Sequence, residues 1–108
     1  MTQEHPPLTE GVYYILLSLY EPRHGYGIIQ LTEEMTAGRV KLGAGTIYGA
    51  IKTLLDRGWI QTFEDDGRKK EYIITEEGKK VINTEISRLR ELFDNGVRIT
   101  RGDNFERE

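Results

Sequence analysis

The chain has 108 residues, which suits one domain with a single modest core. It contains no cysteine, so disulfide bonds and thiolate metal sites are excluded. The formal net charge of -3 does not by itself predict a nucleic-acid binder. The charge is unevenly distributed, however, because residues 38–62 carry four cations and one carboxylate, a local charge of +3. A basic face on an acidic protein can still bind phosphate.

Apolar spacing between breaking residues predicts the first two helices. Thr9 is a candidate N-cap for a helix that extends to about Tyr20. Its apolar stretch is too short to span a bilayer, and the residues before it lack the features of a signal peptide, so we expect a cytoplasmic protein without a membrane partner. A second helix begins near Tyr26, and Gly38 is placed to end it. Residues 39–42 favour a short strand or an extended connection.

The third helix and the hairpin after it carry the strongest functional pattern. The helix is predicted over residues 44–57, with Gly58 as its terminator. Residues 59–64 and 70–75 are predicted strands, and Asp66-Gly67 favours a two-residue hairpin turn. A helix that can enter a DNA groove, followed by a basic β-ribbon, is typical of the winged helix-turn-helix. The predicted fold is therefore mostly α (α+β), with a two-stranded wing and a C-terminal helix.

The fourth helix carries a pattern that is typical of a subunit contact. Thr75 is its candidate N-cap, and its apolar residues are spaced 4, 3 and 4 apart, which gives a narrow seam. The first helix is apolar on a second side as well, which one small domain does not cover. We therefore expect a homodimer. Its predicted interface residues are Tyr13, Leu17, Ile82, Ile86, Leu89 and Phe93.

These elements predict three parts of the chain. Residues 1–75 form a winged helix-turn-helix DNA-binding domain, and residues 76–95 form the dimerisation helix. The sequence becomes polar from Asn95-Gly96 onward, so residues 96–108 are expected to form a flexible tail.

The candidate contacts to double-stranded DNA lie on the second helix, the third helix and the hairpin. Tyr48 and Lys52 are four residues apart, so they share a helix face distinct from the apolar face. A two-residue turn would place Asp65 opposite Arg68 and Glu64 opposite Lys69, and these ion pairs would partly neutralise the wing. The full set of candidate DNA contacts is Tyr26, Gly45, Thr46, Tyr48, Lys52, Arg68, Lys69 and Lys70. The alternatives are an ordinary solvated face for the third helix and the wing, and a core position for Tyr26.

Several short segments, in their order and spacing, resemble the PadR family of bacterial transcriptional regulators. They are HGYGI at 24–28, GTIY at 45–48, GWI at 58–60, GRKK at 67–70 and TEEG at 75–78. The resemblance implies a winged-helix domain, a C-terminal helix that forms a homodimer, and repression of transcription that a small ligand relieves. The family commonly has Ser or Thr where this chain has Gly43, and Pro where it has Ala44 and Gly49.

The resemblance also implies where an effector would bind. Some members of the family hold flat aromatic compounds between their C-terminal helices against a tryptophan, which the fourth helix of this chain lacks. The candidate ligand-binding residues here are Tyr13, Tyr14, Leu89 and Phe93. Alternatively, these four side chains close the dimer core and leave no room for a ligand.

Two other functions fit parts of the sequence. Residues 43–45 could form a dinucleotide-binding turn, but Tyr48 stands where that fingerprint needs glycine, and no βαβ unit follows. A winged helix can also bind protein instead of DNA, although the positive charge of residues 38–62 argues against this alternative. His5 and His24 lack neighbours at metal-ligand spacing, and no nucleophile–base pair is visible, so we expect no metal, no cofactor and no enzyme.

Overall fold

Residues 5–101 are described by a computed structural model. They form four helices and a two-stranded antiparallel sheet, in the order predicted for a winged helix-turn-helix. The elements are α1 (Glu10–Ser18), α2 (Gly25–Met35), α3 (Ala44–Arg57), β1 (Ile60–Asp65), β2 (Lys70–Ile74) and α4 (Glu76–Thr100). Residues 39–42 connect α2 to α3 without forming a strand. No helix within the described residues is both long enough and apolar enough to cross a membrane.

Side chains at the helix N-termini explain where the helices begin. The hydroxyl of Thr9 caps α1 by accepting a hydrogen bond from the N–H of Val12. Thr75 caps α4 in the same way, through the N–H of Gly78. Both predicted threonine caps are confirmed. In contrast, α3 has no side-chain cap, because Gly43 occupies its N-cap position.

The helix C-termini follow the predicted ends only in part. Gly58, with φ 77°, ends α3 as predicted. α1 ends two residues before its predicted end. α2 ends at Met35, and the two left-handed residues after it are Ala37 (φ 52°) and Gly38 (φ 82°). The left-handed conformation that follows α2 therefore starts at Ala37, one residue before the predicted Gly38.

The core fills the space between the helices and one face of the sheet. Its buried apolar side chains are Ile15, Leu16, Leu19, Ile28, Ile47, Ile51, Leu54, Trp59, Ile60, Tyr72, Ile74, Val81 and Ile82. All four helices and both strands contribute to this set, so the wing and the helices form one unit.

Thr75 joins three elements at the end of the sheet. It follows β2 directly, and its N–H donates to the carbonyl of Trp59 at 3.0 Å. Its hydroxyl donates to the carbonyl of Gly58, the residue that ends α3, at 2.7 Å, and the same oxygen caps α4. One side chain therefore fixes the start of α4 against the end of α3.

α4 is longer than predicted, because it continues to Thr100 instead of ending near residue 95. Asn95 and Gly96 favour a helix end by propensity, yet both lie inside the helix, and the hydroxyl of Thr100 donates to the carbonyl of Gly96 at 2.8 Å. Residues 102–108 of the predicted tail lie outside the described residues.

A buried carboxylate links α4 to the segment before α1. Glu85 is only 2% exposed, and it accepts hydrogen bonds from the N–H of Leu8 at 3.3 Å and from the guanidinium of Arg88 at 2.5 and 3.2 Å. The hydrogen bonds from Arg88 hold the pKa of the Glu85 carboxyl below its ordinary value, although burial acts in the opposite direction. The charge of Glu85 is therefore compensated where it is buried.

Candidate nucleic-acid interface

α3 buries one face and exposes the other. Ile47 and Ile51 point into the core. The exposed residues include all four predicted contacts of this helix, Gly45, Thr46, Tyr48 and Lys52. The ammonium of Lys52 lies 3.8 Å from the carboxylate of Asp56, and both side chains are largely exposed, so this pair is weak and leaves the ammonium available to a stronger anion.

The wing turn lies one residue later than predicted. Asp65 pairs with Lys70, and the N–H of Asp66 donates to the carbonyl of Lys69 at 3.2 Å, so the turn is centred on Gly67 and Arg68 instead of Asp66 and Gly67. The strand register also shifts between Thr62 and Glu64, where β1 contains one extra residue. The displaced turn alone changes the partners of Glu64 and Asp65, so the predicted cross-strand neighbours do not meet.

This register changes the charge balance of the wing. The predicted pairs of Asp65 with Arg68 and of Glu64 with Lys69 were wrong, because Glu64 lies opposite Glu71. Within residues 5–101, Arg68 and Lys69 form no salt bridge. Lys70 lies 3.9 Å from Asp65. Arg68 and Lys69 are therefore exposed without a direct ion pair in the described part of the chain, although Glu64, Asp66 and Glu71 line a shallow concavity beside Lys69.

Two carboxylates hold the wing turn in place. Asp66 accepts hydrogen bonds from the N–H groups of Lys69 at 2.8 Å and Arg68 at 3.0 Å, and these bonds hold its pKa below the ordinary value. Asp65 accepts from the N–H of Gly67 at 3.0 Å. Gly67 has φ 90°, a conformation that favours glycine. The acidic residues therefore order the backbone from which the cations extend.

A cleft of about 320 Å³ lies between the wing, α3 and the start of α2. Its lining residues are His24, Tyr48, Asp65, Gly67, Arg68, Lys69, Lys70 and Tyr72. The fold thus brings Tyr48 together with all three predicted wing cations. Tyr26 is exposed at the start of α2 but is not among the lining residues. Its predicted core alternative is therefore wrong.

Tyr48 reaches the start of α2 because the residue there is glycine. A Cβ atom on Gly25 would lie 2.5 Å from the hydroxyl oxygen of Tyr48 and 2.7 Å from its Cζ. The phenol therefore rests on the backbone of α2, and its ring closes one side of the cleft.

His24 lines the cleft although the sequence predicted no DNA contact for it. Its Nδ1 accepts a hydrogen bond from the N–H of Gly27 at 3.3 Å, so it is the N-cap of α2. The sequence feature that could have predicted this cap is a histidine directly before the Gly-Tyr-Gly segment that starts α2. No group of residues that could hold a metal ion occurs between residues 5 and 101.

A second candidate surface lies along α4 and α1. Ile86, Leu89 and Phe93 are 40%, 39% and 68% exposed, whereas Ile82 is 1% exposed. The prediction for Ile82 was therefore wrong: it is already buried in the core of its own chain and has no area left for a partner. Tyr13 is half-buried and lies beside Ile86 and Leu89, and Leu17 is half-buried against the core.

The candidate ligand residues line two neighbouring concavities on this surface. One, of about 380 Å³, is lined by Tyr13, Ile86, Leu89, Arg90, Phe93 and Asp94. The other, of about 310 Å³, is lined by Leu8, Glu10, Tyr13, Tyr14, Glu85, Arg88 and Leu89. Tyr13 and Leu89 are shared, whereas Tyr14 and Phe93 lie in different concavities.

The sequence model of the transcriptional regulator PadR-like family matches residues 14–84, which include α2, α3 and the whole wing. The chain belongs to this family. The resemblance expected from the short sequence motifs is therefore confirmed. PadR family members are transcriptional regulators and not enzymes.

One curated relative is also a transcriptional regulator. The transcriptional regulator YqjI of Escherichia coli (strain K12) is 34% identical over 55 residues, 51% of this chain and 27% of YqjI. A 37.1 kDa protein in transposon Tn4556 of Streptomyces fradiae is 31% identical over 64 residues, 59% of this chain and 18% of that protein. The chain therefore matches less than a third of the length of each of these relatives.

Solved structures show the same PadR-like winged helix. RosR of H. salinarum superposes with a TM-score of 0.68 at 26% identity, over 87% of this chain and 88% of RosR. A PadR family transcriptional regulator from Eggerthella lenta DSM 2243 superposes with a TM-score of 0.71 at 24% identity, over 82% of this chain and 80% of that chain. At that identity the second likeness shows the fold alone.

Proposed function

We propose that the chain is a sequence-specific DNA-binding repressor of transcription, which acts as a homodimer on a two-fold-related operator and is relieved by a small aromatic ligand. The observation that carries the proposal is the common surface of α3 and the wing. The exposed face of α3 meets Arg68 and Lys69, which form no salt bridge among the described residues, at one cleft. Such a surface can place a helix in the major groove while the wing contacts the phosphate backbone.

The roles of the contact residues follow from their chemistry. Thr46 and Lys52 extend from the exposed face of α3, where a hydroxyl and an ammonium can reach base edges or phosphates. Gly45 and Tyr26 lie at the starts of α3 and α2, where the backbone or a phenol can approach the sugar-phosphate chain. The wing cations supply the part of the affinity that depends on salt.

The exposed seam of α4 supports the dimer. Ile86, Leu89 and Phe93 form an apolar row on a helix that extends past the core. Burial of such a row against a second copy removes its apolar area from water. A two-fold axis through the seam relates two α3 helices, which would then read half-sites about one helical turn, or a multiple of it, apart.

The concavities beside the seam support the effector. Their volumes of about 380 and 310 Å³ suit a small ligand, and phenols and apolar side chains line both. To relieve repression, the ligand must bind the DNA-free state more tightly than the DNA-bound state. A typical coupling free energy is about 1–3 kcal/mol. A regulator of this kind acts where the chromosome lies, in the cytoplasm.

A binding selection from a random duplex library, followed by sequencing, tests the DNA-binding proposal. We expect an enriched two-fold-related sequence. The triple variant Arg68→Ala/Lys69→Ala/Lys70→Ala should weaken binding to it and reduce the slope of log affinity against log salt by roughly 0.9 per lost phosphate contact. Lys80→Ala, which removes a cation from the exposed side of α4, is the matched control and should leave that slope unchanged. Failure to enrich any sequence would instead favour a winged helix that binds protein.

A further inference from the structure

We propose that the cleft between the wing and α2 holds one backbone phosphate of DNA, bound by the Tyr48 hydroxyl, the His24 ring and the wing cations. Tyr48 is then a positioning residue that fixes the chain on the duplex without reading bases. This inference rests on the proposed DNA-binding function and assigns one part of it.

The position of Tyr48 supports this role. Its phenol lies against the backbone of Gly25 and lines the cleft, whereas Thr46 and Lys52 do not line it. A phenol held against α2 faces the side of the interface where the wing lies. Phosphate oxygens accept hydrogen bonds from such hydroxyls, and these contacts orient a protein on DNA without carrying sequence information.

The N-cap role of His24 leaves one ring nitrogen for the phosphate. Because Nδ1 accepts the N–H of Gly27, the neutral ring carries its proton on Nε2. Because His24 lines the cleft, we expect this N–H to act as a second donor to the phosphate. The cap also fixes the ring orientation before DNA arrives.

The charge of the cleft favours an anion. Arg68, Lys69 and Lys70 line it together with a single carboxylate, Asp65. That carboxylate already accepts the N–H of Gly67 and lies 3.9 Å from the ammonium of Lys70. A phosphodiester, with one negative charge, fits this excess of cations.

Methylphosphonate substitution tests the inference on the full chain. Each phosphate of the selected operator is replaced in turn by a neutral methylphosphonate, and binding is measured for the natural chain, Tyr48→Phe and His24→Ser. Serine retains an N-cap hydroxyl for α2 but is too short to span the cleft. We expect each variant to lose roughly ten-fold in affinity for operator and random duplex alike.

We expect a distinct result at one phosphate in each half-site. Replacing that phosphate should weaken operator binding by the natural chain but cause no further loss of affinity in Tyr48→Phe or His24→Ser. If every phosphate keeps its full effect in both variants, or if Tyr48→Phe loses discrimination between operator and random duplex, the inference is wrong while the DNA-binding proposal stands. If the natural chain binds no DNA, both fail.

A glycine pair provides an independent check on the placement of Tyr48. Gly25→Ala should displace the phenol and reproduce the affinity loss of Tyr48→Phe, and the double variant should lose no more than either single one. Gly11→Ala is the matched control, because Gly11 does not line the cleft and its added Cβ would lie 3.4 Å from a side-chain carbon of Leu42, an ordinary contact. Equal affinities for the two alanine variants would show that the placement of Tyr48 does not matter.

Discussion

The Cα atom of Gly78 lies directly against the carbonyl of Trp59: an added Cβ would be 2.2 Å from that oxygen. It would also lie 2.7 Å from a side-chain carbon of Ile74. The same carbonyl accepts the N–H of Thr75, so the backbone there is held from a second side and cannot easily move away. Only glycine lets the first turn of α4 pack this closely.

We therefore expect Gly78→Ala to destabilise the fold by about 3 kcal/mol, the upper part of the range for overpacked sites. Gly96→Ala is the control, because an added Cβ there meets no atom within 4 Å and the helix gains about 0.5–1 kcal/mol from alanine. Urea unfolding followed by circular dichroism measures both. Equal stabilities would mean that α4 does not pack as described.

A carboxylate in the exposed seam should prevent dimer formation. Leu89→Asp would bury an uncompensated charge in the proposed interface, at a cost of several kcal/mol. Ser87→Asp, on an exposed position of the same helix, is the control. Sedimentation should show dimers for the natural chain and for Ser87→Asp, and monomers or aggregates for Leu89→Asp. A folded natural monomer at micromolar concentration would contradict the proposal.

The buried Glu85 should make the stability of the fold partly dependent on pH in the acid range. Its folded-state pKa is depressed, so the stability it contributes is present above its unfolded value of about 4.5 and is lost as the pH falls through the folded-state value. Glu85→Gln lacks this titration. The free energy of unfolding should therefore fall more steeply in the natural chain than in the variant as the pH is lowered below about 4.5. Parallel curves from urea titrations at each pH would exclude this role.

Ala37 and Ala50 predict opposite effects of the same substitution. Ala37 has φ 52°, which costs an alanine about 1 kcal/mol or more, so Ala37→Gly should stabilise the fold by about 0.5–1 kcal/mol. Ala50 lies inside α3, where Ala50→Gly should destabilise by about 1 kcal/mol. Thermal unfolding of both variants gives the signs. A loss of stability in Ala37→Gly would show that the turn does not have this conformation in solution.

The effector proposal predicts a coupling between a planar aromatic ligand and operator release. Titration of such compounds should change the tyrosine fluorescence of the natural chain and lower its affinity for the operator. Phe93→Ala should weaken ligand binding. Tyr20→Phe is the control, because it removes a phenol that lines neither concavity. No binding at millimolar ligand, or binding without operator release, would leave a repressor without a sensor.

The sequence predicted the helices better than the wing. α3 begins and ends where apolar periodicity and Gly58 placed it, because local signals decide those positions. The position of the wing turn depends on hydrogen bonds that the Asp66 carboxylate accepts from the backbone of Arg68 and Lys69, which dipeptide preferences do not contain. The end of α4 was missed because Gly96 is only a weak breaker within a long helix.

The candidate sites were also predicted only in part. Residue spacing correctly predicted which side chains of α3 are exposed. It did not show that Ile82 packs into its own chain, because periodicity identifies a helix face but not the neighbour that covers it. His24 was missed because its role depends on the wing, which lies more than 40 positions away along the chain.

Thr75 has a mechanical consequence for regulation. Because its hydroxyl joins the start of α4 to the end of α3 through hydrogen bonds, we expect the two helices to move together. In the proposed dimer, a change in the crossing angle of the paired α4 helices is therefore transmitted to the distance between the two α3 helices. An effector bound near the seam could release the operator by altering that angle alone, without reshaping either DNA-reading surface.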